Sequence, residues 1–388
     1  MTGRPGRWIR VGHASLPDAQ EAGTAAARHA CDGGDAKLLV VFAGYRYDLG
    51  ALLDGVASVA GDAPVIGCST TMPIGPGPPG QTDVVAVGFG GDIAVTTACA
   101  SELSTRTRAV GAEVGRGLLP LPDSRHRVAL FLTDPLAGDQ QEMVRGAYGV
   151  LGATVTLAGG GAGDQMPILT SRQFYGGKVL ENAVVGALLG TDGPVGLAIR
   201  HGWQCEGDPM MVTAGRGYEA HSFDDRPALD VYLAQHRAPP GIEYDEVAFA
   251  EFALTRPLAI GRRGEVAVRH VLGADPDNRT LNCAGCVPKG ATAWLATGDV
   301  ASAIAAAGDA CADALSQLGG APALALLVFD CAGRLALLGE DGAIAEHAVI
   351  HQAAGDTPVA GLYTYGEIAR RTGAIGFHNQ TFVALALG

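Results

Sequence analysis

The sequence predicts an α+β fold, in which mixed β-sheets flanked by helices are built from repeated strand-helix-strand-hairpin units. Three observations lead there. Apolar runs of strand length, such as KLLVVFA and LALLVF, carry no polar alternation and so read as strands buried on both faces. Segments of helical periodicity join some of these strands and short glycine turns join others, which requires parallel and antiparallel neighbours together. The same order of elements also recurs three times, and PVIGCSTTMPI at 64–74 matches PVAGLYTYGEI at 358–368 in Pro, Val, Gly, Thr and Ile. On this reading Gly67, Gly159 and Gly361 should occupy equivalent strand positions.

In chain order, Ser15 precedes an Ala-rich run with its acids first, so a capped helix is expected over 15–31. KLLVVFA is a strand, DLGALLDGVASVA a helix and PVIGCST a second strand. PIGPGPPGQ is too rich in Pro and Gly for either element and reads as a loop. TDVVAVGFG and IAVTTACA follow as a hairpin about Gly90, Gly91 and Asp92. After a helix near 102–117 the order returns: strand RVALFLTD, helix QQEMVRGAYGVL, strand VTLAGGGAGD, then strands about the Gly-Gly turn of SRQFYGGKVLENAVVGALLG. The third occurrence is LALLVFDCAGR, a helix around AIAEHAVIHQAA, PVAGLYTYGEI and GFHNQTFVALAL. Between the second and third lie GPVGLAIRHGWQCEG, MMVTAGRGYEA, VAFAEFALTRPLAIG and EVAVRHVLGA, read as further strands, and the helix GDVASAIAAAGDACADALSQLGG, ended by Gly319 and Gly320. Ser222, Asp225 and Pro227 form a helix start, which divides the chain into modules 1–224 and 225–388.

At 388 residues the chain is too long for one ordinary core, and its 48% hydrophobic content with 17% charge fits a compact protein with many turns. A net charge of -13 argues against a nucleic-acid partner, whose phosphates would demand an excess of Lys and Arg. No run approaches the ~20 apolar residues that span a bilayer, and the N-terminus has no secretory apolar core, so no membrane partner and a cytoplasmic location are expected. The eight cysteines are scattered in apolar context, as reduced core thiols are. Cys283 and Cys286 form one C-x-x-C with no second ligand pair, so neither a metal nor a cofactor is expected.

The polar chemistry concentrates after the last buried runs. Tyr363, Tyr365 and Glu367 fall at every second position and would share one face if the strand continued that far. His378 and Asn379 lead into the final strand. Arg334 and Glu367, each read at a strand end, complement the carboxylate and ammonium of a zwitterion, with an internal salt bridge as the bland alternative. The GGGAGDQ run, with Gly159, Gly160 and Asp164, lacks the spacing of a dinucleotide or Walker loop. It reads equally as a tight turn or as a wall of backbone N–H groups beside a ligand. Cys331, three residues before Arg334, is a weak candidate for a nucleophile, and an ordinary strand-end thiol is the favoured reading.

GGGAGDQ followed by TSRQFYGGKV and AVVGALL, the junction RPALDVYL, the FDCAGR segment and the ending LYTYGEIA with FHNQTFVALAL together resemble the FIST family, sensory domains named for F-box and intracellular signal transduction proteins. The resemblance spans nearly the whole chain, as an N-terminal and a C-terminal FIST module. It implies a domain that binds a small ligand, with amino acids as the proposed class, rather than an established enzyme. With no kinase, cyclase, F-box or methyl-accepting segment attached, it implies a stand-alone sensor whose output partner is a separate, unknown protein.

Overall fold

The computed structural model describes residues 6–165, 168–262, 265–371, 373 and 375–388. Three of its four sheets share one strand order. The first runs Trp8–Ala14, Val84–Gly90, Ala36–Gly44, Val65–Thr70, Gln173–Tyr175 and Lys178–Leu180. The second runs Ala94–Ser101, Ala183–Thr191, His126–Thr133, Val155–Gly161, Glu367–Arg370 and Phe377–His378. The third runs Val195–Arg200, Phe382–Leu387, Ala325–Cys331, Val359–Thr364 and Pro73–Ile74. In each, the third and fourth strands are parallel and every other pair is antiparallel. The mixed α+β class follows directly.

The sheets are interlocked. The fifth strand of the first sheet comes from the chain that has just left the second, that of the second from the third, and that of the third from the first. One face of each of these three sheets lies against a common core that includes Phe42, Val40, Leu130, Leu132, Leu327, Phe329, Leu362 and Val383. The opposite faces each carry a helix pair: Ala19–Ala30 with Leu49–Ala60, Leu103–Leu118 with Gln140–Leu151, and Val300–Ser316 with Ala332–Ala354. Central strands are therefore apolar on both faces, which is why their sequences show no alternation.

Gly67, Gly159 and Gly361 occupy one slot in this scheme. They stand opposite Val41, Phe131 and Val328 in the parallel ladders. A Cβ at any of the three would lie 1.9–2.1 Å from the carbonyl oxygen of that partner. Only glycine allows the approach.

The fourth sheet belongs to the segment between Val195–Arg200 and Val300–Ser316. Its main path is Glu265–Arg269, Leu258–Arg262, Thr292–Thr297, Gln204–Arg216, Glu219–Phe223, Thr280–Cys283 and Val271–Asp275. With helices Ala228–Gln235 and Glu246–Leu254 it encloses a separate core around Phe223, Tyr232 and Phe249. Residue 224 falls in the turn between paired strands of this sheet, and strands from both sides of it share the second and third sheets.

Several local expectations are corrected. Asp18, not Ser15, caps the first helix, accepting from the Glu21 N–H at 2.8 Å. Val84–Gly90 and Ala94–Ser101 form no hairpin, because the chain passes from the first sheet to the second at Gly91. Within PIGPGPPGQ, Pro73 and Ile74 pair with Leu362 and Gly361. VAFAEFAL is a helix rather than a strand, started by Asp245, whose carboxylate accepts from the Val247 and Ala248 N–H groups. Strand Val359–Thr364 stops before Tyr365, and Gly366 with φ +103° turns the chain into the second sheet. Tyr363, Tyr365 and Glu367 accordingly share no face.

Gly361→Ala is expected to lower stability by about 1–3 kcal/mol or more through backbone displacement. Gly149→Ala, on a helix with open space around it, should instead stabilise by about 0.4–1 kcal/mol. Urea midpoints with unchanged slopes would register both, and equal effects would contradict the close-approach account.

Candidate functional site

All three parallel strand pairs end where a segment crosses to another sheet, and these crossings are bonded to one another. Gly163 N–H donates to Ser69 O at 3.0 Å, Tyr365 N–H to Gly161 O at 3.0 Å, and Tyr363 N–H to Met72 O at 3.1 Å. Thr70 Oγ1 donates to Tyr363 O at 2.7 Å. Carboxyl ends of strands at a topological switch are where open α/β sheets form ligand crevices. The three ends differ in how they are filled.

The end of Ala36–Gly44 is open. A cavity of about 700 Å³ lies there, walled by Ser15, Tyr45, Arg46, Thr71, Asp83 and Gln165 among others. Arg46 donates to Tyr45 Oη at 3.3 Å, and among the described residues no carboxylate lies within ion-pair distance of it. Asp83 accepts from Ser15 Oγ and faces the same space. Tyr365 stands behind this wall: its hydroxyl donates to Gln165 O and accepts from Thr71 Oγ1 at 3.4 Å, and its ring lies where a Cβ on Gly163 would stand.

The end of Ala325–Cys331 is closed by charge. Arg334 begins helix Ala332–Ala354 rather than ending a strand, and it is fully buried. Its Nε donates to Asp330 at 2.6 Å and its Nη2 to Glu346 and to Ala303 O. Tyr363 Oη donates to Glu346 Oε2 at 3.2 Å. Burial pushes the Asp330 carboxyl well above the usual range, with Glu346 adding to the rise and Arg334 opposing it.

Glu367 is equally buried but separately partnered. Its oxygens accept from Thr364 Oγ1 at 2.8 Å, Thr381 N at 3.1 Å and Thr381 Oγ1 at 2.7 Å. Burial nevertheless raises it from 4.5 to about 7. The zwitterion clamp expected of Arg334 and Glu367 is therefore replaced by two internal networks. Cys331, 6% exposed, lies beside Glu367, and burial followed by that carboxylate's charge pushes its thiol well up, which disfavours the thiolate a nucleophile needs.

The remaining sequence candidates are also accounted for by packing. Gly159 meets the Phe131 carbonyl, and Gly160 stands opposite Glu367 in the ladder, where a Cβ would meet Thr364. Asp164 closes its own loop, accepting from Leu169 N, Thr170 N and Thr170 Oγ1 at 2.7–3.0 Å. Burial raises its carboxyl, yet these donors outweigh that and hold it below the ordinary value. His378 contacts Ala369 O at 3.0 Å through Nε2. Asn379 Oδ1 is buried without a partner and lies, like the Arg269 side chain, where a Cβ on Gly285 would stand. Cys283 packs in the core of the fourth sheet, while Cys286 lines a second cavity.

Sequence reasoning passed over Arg46 and Asp83. The signal for Arg46 was present: YRYD directly follows the buried run KLLVVFA, the same strand-end pattern that singled out LYTYGE. Arg269 likewise is the last residue of strand Glu265–Arg269, where His270 follows it.

The chain belongs to the FIST family: its FIST N domain matches residues 37–226 and its FIST C domain residues 228–370. FIST domains are sensory domains of signal transduction. It is similar to an uncharacterized protein of Mycobacterium tuberculosis (strain H37Rv), 26% identical over 96% of this chain and 97% of the relative. An uncharacterized protein of Mycobacterium bovis is 28% identical with the same shares. The solved structure of T. maritima PurL complexed with ATP covers 98% of this chain and 71% of its own at 10% identity and a TM-score of 0.22, too weak a likeness to carry an argument. No helix among the described residues is long and apolar enough to cross a membrane.

Arg334→Met is expected to destabilise the protein by about 3–5 kcal/mol, since it strands two buried carboxylates. Chemical denaturation measures this, and a neutral outcome would refute the network's role. For Glu367 the folded value lies above the unfolded one, so the stability it contributes is complete below pH 4.5 and is lost as pH rises through about 7. Over that window wild type should lose ~3 kcal/mol relative to Glu367→Gln, whose amide does not titrate. Parallel pH profiles of stability would contradict it.

Proposed function

We propose that this FIST protein senses a small zwitterionic metabolite, of the amino-acid class, in the cavity at the end of Ala36–Gly44. The observation that carries the reading is the pair of opposite charges on one wall: Arg46, without a carboxylate partner among the described residues, and Asp83. A guanidinium offers a forked donor to a ligand carboxylate, and Asp83 offers an acceptor to its ammonium. Tyr45, Thr71 and the Gln165 segment supply the remaining polar and aromatic surface. The cavity's size suits a small ligand with room for a side chain. Because Gln165 and Thr71 on its wall are bonded to Tyr365, part of the segment that crosses from the third sheet to the second, occupancy would bear on the crossing that ties those sheets together.

The test is a thermal-shift screen of the common amino acids and related metabolites on wild type, Arg46→Ala and Asp83→Asn. A ligand at ~100 times its dissociation constant adds about 2.7 kcal/mol to stability, a readable change in Tm. Wild type should respond to at least one amino acid. Each variant should need roughly tenfold more ligand for the same shift. If no amino acid acts on wild type, or if all three proteins respond alike, the assignment fails.

A further inference from the structure

The second strand end, after His126–Thr133, leads into helix Gln140–Leu151, and the segment carrying the fourth sheet lies over it. A cavity of about 480 Å³ lies between them, with Arg108, Asp139, Gln141, Glu142 and Arg145 on one side and Arg269 with Cys286 on the other. Glu142 engages both Arg145 and, at 3.6 Å, Arg108. Asp139 is committed to the helix start, accepting from Gln141 N at 2.9 Å and Glu142 N at 3.3 Å. Three guanidiniums against two carboxylates leave this wall with one uncompensated positive charge.

That charge resides on Arg269. It is 5% exposed, and among the described residues no carboxylate lies within 4.0 Å of it. Its Nε donates to Cys286 O at 3.3 Å and its Nη1 to Val268 O at 2.9 Å, so Nη2 is left over. Across the cavity, Gln141 is 7% exposed. Its Oε1 accepts from Gly376 N at 3.2 Å and Phe377 N at 3.1 Å, which fixes the orientation of the amide. Nε2 is thereby left buried with no partner. A buried donor without an acceptor is costly, and native proteins resolve it with a bound group or ordered water.

We propose that this cavity binds the oxyanion of a small molecule, a carboxylate or a phosphate, between Arg269 and Gln141. Both residues line the cavity and each keeps a donor that no protein acceptor takes, and the single surplus charge matches one anionic group. The ligand would bridge the second sheet's helix and the fourth sheet, which makes the site separate from the Arg46 cavity in both position and chemistry.

Calorimetric titration of the full chain with sodium phosphate and with sodium acetate, at matched ionic strength and with sodium chloride as control, tests it. Saturable binding of phosphate alone identifies a phosphate-bearing ligand class, and of acetate alone a carboxylate class. Gln141→Glu keeps the acceptor for Gly376 and Phe377 but sets an oxygen where the donor stood, and affinity should fall by roughly tenfold or more. Arg269→Lys keeps the charge but removes the fork, and should weaken binding comparably, so either variant decides the question if the other fails to fold. Arg28→Ala, at an exposed helix position that lines neither cavity, should bind both probes as wild type does. Absence of saturable binding by either anion, or wild-type affinity in a folded Gln141→Glu or Arg269→Lys, would overturn the proposal.

Discussion

The cyclic exchange of one strand among three sheets is the constraint on which the rest of this structure depends. Because each sheet is completed by chain from another, no sheet can close its row of hydrogen bonds alone. The three inner faces also form a single core, so a sheet withdrawn from the others would expose apolar surface on the face it now shares. The glycines opposite Val41, Phe131 and Val328 belong to the same constraint, since they let each parallel pair close tightly just before its crossing.

This arrangement places three strand ends together and then treats each differently. The first keeps an open cavity with an Arg and an Asp on its wall. The second is covered by the fourth sheet and retains one buried donor, Gln141 Nε2, without a partner. The third is filled by Arg334, Asp330 and Glu346, held as a buried network that excludes a ligand from that position. Burying three charges is tolerable only because the guanidinium reaches both carboxylates and Tyr363 adds a further donor. Cavities thus lie at two of three related positions, and the third is occupied by the protein's own side chains.

Sequence reasoning put Arg334 and Glu367 together in one clamp, and the structure gives each its own internal partners, for a physical reason. Arg334 and Glu367 were conspicuous as polar residues beside buried strands, and such residues belong either to a ligand site or to an internal network. Only the positions of Glu346, Thr364 and Thr381 distinguish the two, and none of these is close to both in sequence. Tyr365 kept a place beside a cavity because Gly366 turns the chain there, whereas Tyr363 was drawn into the network under the helix.

What the sequence by itself determined is the set of elements whose signal is local: the doubly buried central strands, most of the helices, and the α+β class. It also pointed to Gly67 and Gly361 as alike, because the residues around them repeat, and to Gly159 through the order of elements. Only the tertiary structure decided which sheet each short strand joins, and so parted Val84–Gly90 from Ala94–Ser101 and sent Pro73–Ile74 and Glu367–Arg370 to distant partners. An apolar pattern reports that a strand is buried, not what it pairs with. That choice is made by closure of the shared core, a long-range condition that no window of sequence contains.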